Sequence, residues 1–138
     1  MLIGIAKWNN LIIIGTRKYW KNELNYIKEK NIRLVTSKQI FENNIQDICD
    51  TVMETFRKFE ELYISIDIDV LNPDIAPGTH YTEPNGLQLN QLLYFVRRLK
   101  ILKNIKKIDL VEVNPDIENK ITIKTAAKII SEILWDYL

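Results

Sequence analysis

The order of apolar bursts along this chain constrains its fold more than any other feature. Four short runs rich in β-branched residues, at 10–17, 31–36, 62–70 and 108–113, alternate with stretches of helical periodicity. Isoleucine supplies 23 of the 138 residues and crowds into these runs, as expected for covered pleated strands. Residues 18–30 space Trp20, Leu24 and Ile27 by four and three. A long pattern opening at Ser37 carries Ile45, Ile48, Cys49, Val52, Phe56 and Phe59 on one face, and Leu89, Leu92, Leu93, Val96 and Leu99 mark the next helix. The last helix, over 121–137, is expected to turn Ile123, Ala126, Ala127, Ile130, Ile133, Leu134 and Tyr137 inward. Strands separated by helices of this length pair in parallel through right-handed crossovers. The reading is an α/β fold with three layers, α/β/α, a mostly parallel sheet of about four strands, and about four helices. At 138 residues it is one domain, 1–138.

Charge narrows the function. Lys plus Arg number 19 and Asp plus Glu 18, so the basic excess of a dedicated nucleic-acid binder is missing. The run from Arg97 to Lys107 reads as a solvated helix end. One cysteine, Cys49, and one histidine, His80, exclude an intrachain disulfide and any thiolate cluster, so a metal site here must be built mainly from oxygen ligands. Cys49 sits on an apolar helix stripe and reads as core. Trp20 and Trp135 are expected to pack. No apolar stretch is long enough to cross a membrane. The start of the chain lacks the pattern of a secretory leader, which leaves the cytoplasm as the expected compartment.

The strongest chemical signal is Ser65-Ile66-Asp67-Ile68-Asp69. On a strand, Asp67 and Asp69 point to the same side, at the carboxyl end where open α/β sheets place their sites. Two like charges in a covered position need a compensating cation or hydrogen-bond donors. A divalent ion such as Mn²⁺ or Mg²⁺ and a set of backbone N–H groups both satisfy that need. Glu112, between Val111 and Val113, is a second carboxylate at a strand end. It is suited to a cationic substrate group or to a helix lysine. His80 lies in the loop Pro77-Gly78-Thr79-His80-Tyr81-Thr82-Glu83-Pro84 and is either a ligand or a surface residue. Glu83 either orders that loop or faces the site. No glycine-rich phosphate loop is present.

The Asp pair and its surroundings resemble the arginase/agmatinase family, the ureohydrolases. The family strand ending S-I/F-D-I/V-D corresponds to Ser65–Asp69. Its following loop corresponds to Leu71-Asn72-Pro73, Ala76-Pro77-Gly78-Thr79 and Glu83-Pro84-Asn85-Gly86-Leu87, and its E-V-N-P to Glu112-Val113-Asn114-Pro115. Ile14-Gly15-Thr16-Arg17 is similar to the family's G-I-R strand end. The resemblance implies hydrolysis of a guanidino compound of the agmatine or arginine type by water held between two Mn²⁺ ions, releasing urea. It implies Asp67 and Asp69 as metal ligands, Glu112 as the carboxylate pairing with the substrate guanidinium, and Thr79, His80, Tyr81 and Glu83 as the substrate-mouth loop. The spelling of that loop leans towards agmatinases.

The departures from the family pattern are equally informative. The family's G-G-D-H and D-A-H-x-D segments, which carry four further ligands, do not occur here. His80 replaces a loop glycine, Asn85 replaces another, Asn72 replaces an aspartate, and Tyr81 and Thr82 stand where Thr and Pro are usual. The chain therefore resembles the carboxyl-terminal half of a ureohydrolase domain. It is expected to have little or no activity alone. The alternatives are half of a split amidinohydrolase completed by a partner polypeptide, or a non-catalytic association domain. The resemblance also implies that a central strand of the sheet is missing between two that are retained. The sheet then closes up, pairs with another chain or leaves apolar edges, which favours a homo-oligomer or association with a complementary half.

Overall fold

The computed structural model describes residues 2–3, 10–118 and 120–135. In chain order the elements are β1 (Leu2–Ile3), β2 (Ile12–Thr16), α1 (Lys21–Glu29), β3 (Arg33–Thr36), α2 (Ser37–Glu42), α3 (Ile45–Phe56), β4 (Leu62–Asp67), α4 (Leu89–Leu99), β5 (Ile105–Val111) and α5 (Ile121–Leu134). One sheet has the order β3-β2-β1-β4-β5. The pairs β2/β3 and β4/β5 are parallel, and β1 is antiparallel to both its neighbours. The four longer strands therefore all run the same way. The β2–α1–β3 and β4–α4–β5 crossovers step in opposite directions across the sheet, so the right-handed rule sets α1 and α4 on opposite faces. The expected three layers follow.

Local chemistry sets the boundaries. Thr36 starts α2 with reciprocal bonds: its hydroxyl accepts from the Gln39 N–H at 3.2 Å, and Gln39 Oε1 accepts from the Thr36 N–H at 2.8 Å. The long helical pattern expected from Ser37 onward breaks at Asn43 and Asn44. Asn44 caps the second segment by accepting from the Gln46 N–H at 2.9 Å. Asn31 ends the α1 turn in the left-handed region, φ 53°, where asparagine is tolerated. The two unforeseen elements, β1 and the split of the second helix, account for five strands and five α-helices among the described residues where about four of each were expected.

The core lies between the sheet and α3, α4 and part of α5. Leu62, Ile64 and Ile66 of β4 are buried, alternating with half-buried Tyr63, Ser65 and Asp67. They meet Cys49, Val52, Met53 and Phe56 of α3 and Leu92, Phe95, Val96 and Leu99 of α4 in one apolar cluster. Each such side chain contributes about 2 kcal/mol by leaving water.

Three expectations about packing are corrected. α5 turns Ala126 and Ile133 inward as expected, but it also presents Thr122, Thr125 and Ile129 to the core and leaves Ile123, Ala127, Ile130 and Leu134 exposed. Its inner face is thus rotated by one position, because Thr122 and Thr125 bond loop backbone and pull the polar side inward. Tyr137 falls outside the described residues. Trp20 and Trp135 are 69% and 75% exposed and do not pack into the core. β5 begins earlier than expected, at Ile105, and stops before Glu112. Most of the basic run is a solvated helix end and turn, but Lys100 is covered, with 10% of its side chain exposed beside Glu132. Arg97 and Lys100 pair with Glu132, Arg98 with Asp50, and Lys106 with Glu61.

Candidate active site

The site forms where β2 and β4 end. Gly15 has φ +86°, and a Cβ there would run into the side chain of Val70. Only glycine lets the end of β2 lie this close to the turn after β4. The consequence falls on Arg17. Its Nη2 donates to the Asp69 carbonyl oxygen at 2.6 Å and its Nη1 to the Gly15 carbonyl at 3.5 Å. Nη1 also stands 4.0 Å from Asp69 Oδ1, with only 11% of the arginine side chain exposed. Arg17 Nε is buried without a hydrogen-bond partner.

Asp69 is not on the strand. β4 stops at Asp67, and Ile68–Val70 form a 3₁₀ turn in which Asp67 Oδ1 accepts the Asp69 N–H at 3.0 Å. The strand-alternation argument therefore does not apply to the pair, yet the turn still brings both carboxylates to one cleft. That cleft has a volume of about 290 Å³. β2 and its extension from Ile13 to Lys18 form one wall, Asp67, Asp69 and Val70 another, and Tyr81 and Glu83 complete the lining. Lys18 Nζ lies 3.5 Å from Glu83 Oε1. Burial, and then the neighbouring Asp67 carboxylate, push the Asp69 carboxyl up to about 6, against the pull of Arg17.

The loop after β4 is fastened at three places. Leu87 N–H donates to the Val70 carbonyl at 2.8 Å and Asn72 N–H to the Leu87 carbonyl at 3.0 Å. Gly86 packs so tightly on the Leu71 carbonyl that a Cβ would overlap it. Asn85, with φ 61°, accepts at its carbonyl from the buried Ser37 hydroxyl. Asparagine tolerates the left-handed backbone that this position requires. At Gly78 the N–H donates to Thr122 Oγ1 at 2.7 Å, and the carbonyl accepts from the Asn114 N–H at 2.8 Å. The loop's middle is thereby pinned to the end of β5 and the start of α5.

The expected site residues divide. Asp67, Asp69, Tyr81 and Glu83 line one cleft. Thr79 is buried, and its Oγ1 accepts from the Tyr81 N–H at 3.3 Å. His80 is exposed, with Nε2 3.3 Å from Asn114 Nδ2, and does not line the cleft. Glu112 was expected in a covered strand. It is the first residue past β5, exposed, with φ +64°, and is not part of the cleft wall. Arg17 and Lys18 are the residues that sequence reasoning missed. The available signal was a glycine near the end of a strand, with two adjacent cations just past that end, in a chain with an acidic strand end.

Two carboxylates are a small donor set for a divalent ion. One oxygen of Asp67 is engaged by backbone, and Asp69 already faces a guanidinium. Among the described residues no group of three or more His, Cys, Asp or Glu side chains is gathered to hold a metal. The residues present do not fit a two-ion cluster by themselves.

Fold and site together define an open α/β domain with an acidic cleft at the carboxyl ends of its parallel strands. The Arginase family model matches residues 2–135, and the chain belongs to that family. An arginase of Staphylococcus aureus is 29% identical over 138 residues, covering 98% of this chain and 46% of its own length. The crystal structure of Entamoeba histolytica arginase in complex with L-ornithine superposes with a TM-score of 0.86 at 28% identity, covering 91% of this chain and 43% of that one. Formimidoylglutamase from Bacillus subtilis superposes with a TM-score of 0.88 at 27% identity, covering 95% and 42%. The chain spans less than half the length of these relatives.

Proposed function

We propose that this chain is part of a guanidino hydrolase of the arginine or agmatine type, supplying Asp67 and Asp69 to a Mn²⁺ centre whose other ligands lie in a stretch of the domain that it does not span. The observation that carries this reading is the meeting of both aspartates in the cleft at the ends of β2 and β4. Family membership supports the reaction class, and the relatives' name favours arginine over agmatine as the first substrate to assay. Alone, the chain binds Mn²⁺ weakly and releases little or no urea, because two carboxylates cannot hold two ions. Glu112 and His80 stand at the loop-and-strand-end side of the domain, where an added polypeptide would decide whether they face substrate.

The test is calorimetric titration with Mn²⁺, with an Asp67→Ala, Asp69→Ala double variant as control, followed by a urea-release assay. The expected result is one weak site or none, lost in the double variant, and no urea. Tight uptake of two ions per chain would contradict the incomplete-site reading. A metal response that survives in the double variant would remove the aspartates from the role.

A further inference from the structure

We propose that Asn85 is a site of spontaneous covalent modification. Its side-chain amide is lost to attack by the Gly86 backbone nitrogen, and the isoaspartate that results opens the loop fastened after β4. The proposal stands independently of the metal-centre reading.

Of the 13 asparagines in the chain, only Asn85 is followed by glycine. Asn72 and Asn114 precede prolines, which have no N–H to react, and the others precede residues whose side chains shield the attacking nitrogen. Gly86 carries no side chain to do so. Asn85 is exposed, and neither its side-chain amide nor the Gly86 N–H has a hydrogen-bond partner among the described residues. Both reacting groups are therefore unengaged. Elsewhere the side-chain amides are held: Asn43 Nδ2 donates to the Gln39 carbonyl at 2.8 Å, and Asn104 Nδ2 to the Phe56 and Phe59 carbonyls at 2.9 and 2.7 Å.

The step balances without any oxidant or reductant. The Gly86 nitrogen bonds to Asn85 Cγ and gives up its proton, the bond from Cγ to the side-chain nitrogen breaks, and ammonia leaves with that proton. The succinimide ring then takes up water. Opening at the main-chain carbonyl gives isoaspartate, whose backbone runs through the former side chain and is longer by a methylene. Opening at the former side-chain carbonyl gives ordinary aspartate.

The chain is fitted closely on both sides of the bond that changes. The Asn85 carbonyl accepts from the buried Ser37 hydroxyl, and Gly86 lies against the Leu71 carbonyl with no room for a Cβ. The next residue makes the two bonds that close the loop, Leu87 N–H to Val70 and Asn72 N–H to Leu87. An added backbone methylene cannot keep Ser37 and Leu71 satisfied together. Ring closure has to turn the Asn85–Gly86 peptide, so it proceeds during local openings of the loop, and the isoaspartate product does not close again. Ordinary aspartate leaves the backbone as it was. Its carboxylate falls in a pocket of about 440 Å³ lined by Arg17, Lys38 and Glu42, where two cations offset one acid.

The experiment incubates the purified chain at pH 8 and maps its peptides by mass spectrometry over time. The isoaspartate fraction is separated by ion exchange, and its backbone hydrogen exchange is compared with the parent's. Asn85 should lose its amide roughly tenfold faster than any other asparagine, because glycine alone leaves the attacking nitrogen open. The isoaspartate fraction should lose protection at the Leu87 and Asn72 amides. Asn85→Gly, which takes the same left-handed backbone, should keep that protection through the whole incubation. Asn85→Asp should keep it too, which assigns the loss to backbone length and not to charge. Deamidation of Asn85 no faster than that of the other asparagines would overturn the proposal. So would full protection in the isoaspartate fraction, an equal loss in Asn85→Asp, or the same time-dependent loss in Asn85→Gly.

Discussion

Arg17 and Asp69, 52 residues apart in sequence, are joined by a 2.6 Å hydrogen bond from the guanidinium to the aspartate's own carbonyl oxygen. The same guanidinium faces the carboxylate at 4.0 Å. It ties the end of β2 to the turn after β4 and supplies the positive charge that two adjacent aspartates require. In this chain Arg17 offsets part of the repulsion within the acidic pair, while burial and Asp67 still hold the Asp69 carboxyl above its ordinary value.

Replacing Arg17 by methionine keeps much of the buried stem and removes that charge. The variant should lose about 2–3 kcal/mol of stability, since the carbonyl and the carboxylate lose their partner together. Urea unfolding at neutral pH measures this. Arg17→Lys should recover part of the loss, and equal stability of Arg17→Met and the parent would show that the pair is indifferent to its cation.

Asp69→Asn should stabilise the metal-free chain at pH 8. The folded-state carboxyl is raised to about 6 by burial and by Asp67, so the ionised group opposes folding above that pH. The sign follows from linkage: the parent gains stability as pH falls from above 6 towards 4, where the unfolded group also becomes protonated. The gain in Asp69→Asn should be about 1–2 kcal/mol at pH 8 and vanish near pH 4. Thermal melts across that range in the presence of a chelator read it directly.

Glu118 behaves in the opposite sense. Its carboxylate accepts the N–H groups of Lys120, Ile121 and Thr122 at 2.7–2.8 Å at the start of α5. Led by the Thr122 and Ile121 bonds, these hold the carboxyl at about 2. A depressed group stabilises above its unfolded value, so this contribution should be full above pH 5 and decline as pH falls from about 4.5 through 2. Glu118→Gln should lower the melting temperature by about 2–4 °C at pH 7. A difference that persists unchanged at pH 2 would contradict the assignment.

The α5 stripe should make the isolated chain associate as its concentration rises. Ile130→Glu with Leu134→Lys, both on the exposed side, should return it to a monomer without lowering the melting temperature. Sedimentation over a hundredfold concentration range separates the two behaviours.

Much of this was legible from residues alone. Apolar bursts and helical periodicity located β2 to β5 and most helices, because burial imposes periods of 2 and 3.6 on any chain that folds this way. The acidic strand end and its Pro-Gly-Thr loop were equally visible. Glu112 was misread because a carboxylate between two valines looks like strand, whereas its φ of +64° is set by how β5 hands over to Asn114 and the Gly78 loop. The α5 face was misread because its pattern carries two apolar stripes, and sequence cannot say which one meets the core.

The α/β order, the family and the paired aspartates were readable from local propensity and from residues adjacent in the chain. Tertiary structure alone decided that Arg17 closes on Asp69, that Glu112 and His80 stand away from the cleft, and that two residues at the start of the chain occupy the middle of the sheet. Each of those depends on which strand ends lie side by side. Strand order is fixed by the burial of the whole sheet, not by any segment of it.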